Sequence, residues 1–147
     1  MAFGGDIMEN IIKVMVFKEK KYKDRDSLFQ DKNTPFEVKE INNTLDDLYK
    51  NINCANIDIT PRLIGGRMYC IVCDDEGCYR DGVVYTAICP ESPYADIPGP
   101  IVITGPADEN GDLTSITNED VSNIISHISL TTQKAPEKVI VPVIILD

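Results

Sequence analysis

Two β-branched runs meet at a pair of glycines in the middle of this chain. Residues 56–64 read NIDITPRLI, Gly65-Gly66 follows, and residues 68–73 read MYCIVC. Two consecutive glycines supply the positive φ angles that a two-residue hairpin turn demands, so the flanking runs are predicted to pair antiparallel. Ile57 and Ile59 fall on one side of the first run, the alternation of a half-buried strand. Asp74-Asp75-Glu76-Gly77 then makes a turn, residues 78–80 leave it, and Asp81-Gly82 introduces a strand over residues 83–89.

On either side of this centre the pattern is mixed. Residues 11–18 (IIKVMVFK) read as a strand, residues 19–35 as a charged loop, and residues 36–41 as a second short strand. Asn43 and Thr44 open a helix whose Leu45, Leu48, Tyr49 and Ile52 share one face. Asp47 sits three residues after Thr44, in the manner of a capping box. A Pro-rich loop spans residues 90–100, a short buried strand residues 101–104, and a second helix residues 117–128, with Val121, Ile124, Ile125 and Ile128 as its apolar face. A last strand runs from Val139 to Leu146, and Pro142 places it at an edge or a bulge.

The expected fold is a single α+β domain: a mostly antiparallel sheet with two short helices packed on one face. Residues 1–10 are expected to be a flexible N-terminus and residues 11–147 the domain. A chain of 147 residues suits one core. No apolar run approaches the roughly 20 residues that span a bilayer. MAFGGDIMEN lacks the basic-then-apolar order of a secretory signal. Together with five cysteines, an odd number, this points to reduced thiols in a cytoplasm.

Charge narrows the function. The net charge is −10, and residues 54–133 carry 12 acids against only Arg62, Arg67 and Arg80. Such a surface repels nucleic acid and anionic membranes; it either only keeps a small protein soluble or also suits a partner with a basic surface. The exposed acids Asp74, Asp75, Glu76, Asp108, Glu109, Asp112, Glu119 and Asp120 are the candidate interaction surface.

Within residues 105–120 (GPADENGDLTSITNED), Asp108, Asn110, Asp112 and Glu119 fall at the ligand positions of an EF-hand loop. Its obligatory glycine position holds Leu113, and the loop is entered from a strand. Turn and capping chemistry explains more of it: Asn110-Gly111 as a turn, and Thr117 capping a helix with Asp120 at N3. Cys70, Cys73, Cys78 and Cys89 are the one cluster of soft ligands. Cys70 and Cys73, three apart on a strand, point to opposite faces, which leaves at most Cys73 and Cys78 facing each other across the turn. His127, the only histidine, lies off the apolar stripe of its helix and is expected to face solvent. No Ser–His or Cys–His system, phosphate-cradling glycine motif, metal set or cofactor motif emerges.

Four stretches in order, IIKVMVF, EINNTLDDLYKNI, YCIVCDDEG and GPIVITGPADENGDLTSITNEDV, resemble a family of short uncharacterised domains carried by phages, prophages and plasmids of Firmicutes. The resemblance implies an accessory protein of a mobile element in a bacterial cytoplasm, with no catalytic residues to carry over. Two functional expectations follow. One is a non-catalytic protein that binds a host protein with a basic surface, as an acidic inhibitor of a nucleic-acid-handling defence enzyme would. The alternative is a small ligand-binding domain or enzyme that uses the Gly/Pro-rich loops as a pocket, with Asp74, Asp75, Glu76, Arg80 and Cys73 or Cys78 as its candidate residues. A homo-oligomer through the strand from Val139 to Leu146 is a further expectation.

Overall fold

A computed structural model describes residues 10–32, 34–90, 96–134 and 138–147. Most of the expected flexible N-terminus and the middle of the Pro-rich loop lie outside the described residues.

The elements in order are β1 (Ile11–Phe17), α1 (Arg25–Gln30), β2 (Phe36–Asn42), α2 (Leu45–Ile52), β3 (Ile57–Ile64) and β4 (Arg67–Asp74). A 3-10 turn (Gly77–Tyr79) leads to β5 (Tyr85–Ile88), β6 (Ile97–Pro98), β7 (Ile101–Thr104), α3 (Asn118–Ile125), β8 (Ile128–Lys134) and β9 (Lys138–Ile145). They form two sheets rather than one, ordered β2-β1-β7-β4-β3 and β6-β5-β9-β8. All pairings are antiparallel except that of β5 with β9. Among the described residues no helix is long and apolar enough to cross a membrane.

The hairpin expected at Gly65-Gly66 forms, with φ of 56° and 80° at the two glycines and Ile64 facing Arg67. A side chain on Gly65 would also run into the Asn123 amide and the His127 ring.

The central strands of the five-stranded sheet, β1, β7 and β4, are buried on both faces. Met15, Phe17, Tyr69, Ile71, Cys73, Ile101 and Ile103 point inward, against Ala87, Ile97 and Ile144 of the second sheet. Their neighbours Ile12, Val14, Val16, Cys70, Val72 and Val102 point outward and are covered by Leu48 and Ile52 of α2. Alternation in β1, β4 and β7 therefore sorts apolar residues between two cores rather than between core and water. The helices divide likewise: α2 lies on the outer face, while Ile124 of α3 packs into the inter-sheet core. The expectation of two helices on one face fails because both faces of this sheet need cover.

Several local expectations change too. Within residues 19–35, α1 forms because the Asp24 side chain accepts the Ser27 N–H at 2.8 Å. The apolar stripes overshoot: Leu45 is 55% and Ile125 40% exposed, and Ile128 belongs to the following strand. Residues 129–134, given no element by the pattern, join Ile128 in β8, and the end of the Pro-rich loop supplies β6 against β5. Ile59 is 42% exposed on edge strand β3.

The strand expected near the C-terminal end is interior. β8 pairs with β9 along one side, while Tyr22 (exchanging both backbone bonds with Ile140) and then β5 take the other. Pro142 has the same parity as Ile140, so its missing N–H faces the gap between Tyr22 and β5 and no ladder bond is lost. With both sides engaged within the chain, this strand offers no free edge to a second copy.

Truncating Ile103, fully buried between β1 and β4, should cost about 3 kcal/mol in chemical denaturation. Ile59→Ala should cost under about 1 kcal/mol. Equal losses would contradict this assignment of core and surface.

Candidate interaction surface

β4 ends at Asp74, where the chain leaves the sheet in a tight turn. Asp74 organises it by accepting the Glu76 N–H at 3.0 Å, and the Asp75 N–H donates to the Asn56 carbonyl at 3.1 Å. Glu76 then starts the 3-10 turn that lifts Tyr79 into solvent, 84% exposed. Arg80 ties this end together: its Nη2 donates to the Gly99 carbonyl at 2.6 Å, and its guanidinium lies 3.7 Å from Glu19 and 3.9 Å from Asp74. Arg80 is thus held by acceptors of the fold while remaining exposed itself, as Asp75 and Glu76 are.

Two clefts flank Asp74. One, of about 330 Å³, is lined by Cys54, Asn56, Glu76, Tyr79 and Arg80. The other, of about 210 Å³, collects Asp58, Arg62, Cys73, Asp75, Cys78 and Asp96. Cys73 and Cys78 do share a cleft across the turn, as the spacing suggests. Burial, reinforced by Asp58, Asp74 and Asp75, pushes the Cys73 thiol up to about 12, so it stays protonated at neutral pH. Cys70 faces the outer core and Cys73 the inner one, as expected for residues three apart.

The remaining acids of the expected surface lie elsewhere. Thr104 pairs with Cys70, midway along β4, so the loop after β7 leaves the sheet four residues of strand away from Asp74, on the side of Arg67. Several residues of strand, at about 3.3 Å each, separate the two groups. There Asp108 spends its carboxylate on the loop itself, accepting from the N–H groups of Asn110 and Asp112 at 2.8 and 3.0 Å. Glu109 and Asp112 are exposed, and Glu119 lies 3.5 Å from Arg67.

Asp120 is structural. It forms the capping box with Thr117 and accepts the Tyr69 hydroxyl at 2.8 Å and Arg67 at 3.2 Å. Burial would raise its pKa, but hydrogen bonds from the Thr117 N–H, the Tyr69 and Thr117 hydroxyls and Arg67 hold it below the usual range. Asn123 extends the network, donating to the Tyr69 hydroxyl at 3.0 Å and to the Ile64 carbonyl at 2.9 Å. The turn and capping reading of residues 105–120 therefore holds. The candidate acids form two groups, one at the Asp74 turn and one on the loop after β7 and the start of α3, beside Arg67 and Tyr69.

His127 is not solvent-facing on a helix. It follows α3, is half-buried beside Gly65, and has Nδ1 2.8 Å from the Asn123 carbonyl. β4 runs from the Gly65 end to Asp74, roughly 20 Å at strand rise, so the imidazole and the Cys73 thiol stand at opposite ends.

Tyr79, Asp58, Arg62 and Asp96 join the site without any signal in the local pattern. Asp58, Arg62 and Asp96 come from β3 and from the approach to β6, and an exposed tyrosine leaves no periodic trace.

These features define a small, mostly antiparallel two-sheet domain with three short helices and an acidic end centred on an aromatic side chain. The chain belongs to the family described as a domain of unknown function, DUF3846, whose model matches residues 26–129. No curated protein and no solved structure matches it. The matched stretch starts inside α1 and ends just inside β8, so β1 and β9 lie outside it although both are integral to the sheets.

Two outcomes test the site's chemistry. Asp120 has a depressed folded pKa, so its contribution is complete above the ordinary carboxylate pKa of about 3.9 and is lost as pH falls through the folded value. Asp120→Asn turns an amide NH2 toward one of the donors; it should cost about 2 kcal/mol at pH 7 and flatten the acid limb of the stability curve. In native alkylation followed by peptide mass spectrometry at pH 8, the exposed Cys78 should react well before Cys73.

Proposed function

We propose that this protein is a non-catalytic accessory protein of a phage or other mobile element. It binds a host protein with a basic surface, such as a nucleic-acid-handling defence enzyme, through the Asp74–Tyr79 end. The observation that carries this reading is Tyr79, 84% exposed at the end of the Asp74-Asp75-Glu76 turn and sharing a cleft with Asp74, Glu76 and Arg80. An aromatic anchor beside the exposed carboxylates of Asp75 and Glu76 fits a surface rich in Lys and Arg: the ring gives area and cation–π contact, and the carboxylates speed encounter. The phage setting rests on the family resemblance and the inhibitor role on charge. The non-catalytic reading is supported by the protonated Cys73 thiol and by its separation from His127.

A second reading, a small-ligand site, is favoured by the cleft that gathers Cys73, Cys78, Arg62 and three aspartates. At about 210 Å³ this cleft is smaller than a typical ligand pocket of roughly 300–1,000 Å³, and the neighbouring cleft, at about 330 Å³, only just reaches that range, which places the reading second.

The test is capture of host proteins on the immobilised wild-type chain and on Tyr79→Ala and Glu76→Lys. A specific partner should be held by wild type at about 50 mM salt, shed at about 500 mM, and bound about thirtyfold more weakly by Tyr79→Ala. A partner indifferent to both substitutions would sink the proposal. A thermal shift with a metal or nucleotide would favour the second reading.

A further inference from the structure

The edges of the two sheets are not alike. Of the four edge strands, β2 carries Glu37, Lys39 and Glu40, β3 carries Asp58, Pro61 and Arg62, and β6 is two residues long and ends in Pro98. Charges, prolines and brevity are the usual defences of an open edge. β8 carries such a defence only at its last residue: Ile128–Gln133 reads ISLTTQ, six residues with neither charge nor proline, before Lys134 closes the strand.

Its outward hydrogen-bonding groups follow from the register. Ile140 directs both backbone groups at Tyr22, away from β8, so its partner Thr132 forms a non-hydrogen-bonded pair. The Ile145 N–H, directed at the His127 carbonyl, agrees with this parity. Ile128, Leu130 and Thr132 therefore turn their N–H and C=O groups to the free side. Among the described residues no backbone group pairs with them there.

We propose that β8 is a self-association edge: a second copy of this chain adds its own β8 antiparallel across a two-fold axis at Leu130. In that register Leu130 meets Leu130 of the other copy and Ile128 meets Thr132, each pair exchanging both backbone bonds. Ser129 falls opposite Thr131, and the two four-stranded sheets become one continuous sheet.

The occupant is argued from charge. A chain of net charge −10 repels its own kind over most of its surface, so it self-associates only where its acids are missing. Residues 128–133 carry no charge, and the charged residue that shares a cleft with Leu130, Thr131 and Thr132 is the cationic Arg25, not an acid. A basic partner gains nothing from this edge; an identical neutral strand matches it in length and pairing. An apolar cleft of about 280 Å³ lies along the same strand, with Phe29 (72% exposed) and Leu28 facing Ile128, Leu130 and Pro142. The second copy's strand would cover its open side.

The edge lies apart from Tyr79, so dimerisation leaves the proposed binding end free, and either idea can fail alone.

The experiment is sedimentation velocity on the full chain across about 1–200 µM, range chosen to span ordinary dimer affinities. Wild type should show a monomer–dimer equilibrium. Thr132→Pro removes only an N–H that faces the free side, so the fold should survive while the dimer weakens about thirtyfold. Circular dichroism checks the fold, and Thr132→Lys serves as a second variant should proline disturb it. A wild-type chain monomeric throughout, or a dimer untouched in a folded variant, overturns the proposal.

Discussion

All four side chains of β7 are buried, and the fold is arranged so that they can be. Ile101 and Ile103 need an apolar layer on one side of the sheet, Val102 and Thr104 on the other. The second sheet and α3 provide the first and α2 the second. The strand's backbone is likewise enclosed, by β1 on one side and β4 on the other. A single sheet with helices on one face cannot satisfy such a strand, which is why the chain builds a layer on each side.

What was legible in the residues was local. Gly65-Gly66 announced its hairpin because few residues tolerate positive φ, and Thr117 with Asp120 announced a helix start because both side chains have one job there. Opposite-facing Cys70 and Cys73 followed from strand geometry. The failures share another cause. α2 and α3 span eight residues each, so a stripe drawn at i, i+3, i+4, i+7 outruns them and leaves Leu45 and Ile125 in water and Ile128 on a strand. α1 buries none of its residues and so carries no apolar pattern. β6 exists because β5 is beside it.

The acidic end was half legible for the same reason. Asp74, Asp75, Glu76, Cys78 and Arg80 are neighbours in sequence and remain so in space. Asp58 and Asp96 reach them only through the β3–β4 pairing and the return at β6. Asp120 shows the reverse error: a carboxylate on an acidic stretch looks like surface, yet its partner Tyr69 lies on a strand 51 residues away. Counting acids along a chain cannot tell a carboxylate that greets a partner from one that holds a helix to a sheet.

The bridge between Tyr22 and Ile140 has a consequence in time. It joins a loop near the start of the chain to a strand near its end, and the β5–β9 pairing is also long-range. At translation rates of about 5–20 residues per second, Tyr22 leaves the ribosome on the order of ten seconds before its partner. The five-stranded sheet is free to assemble in that interval, since all its strands precede α3. Its inner face, with Phe17, Ile71 and Ile103, then waits uncovered for β8 and β9. Chaperone demand should peak just before β8 and β9 emerge, over a half-built domain whose backbone is paired and whose core is still wet.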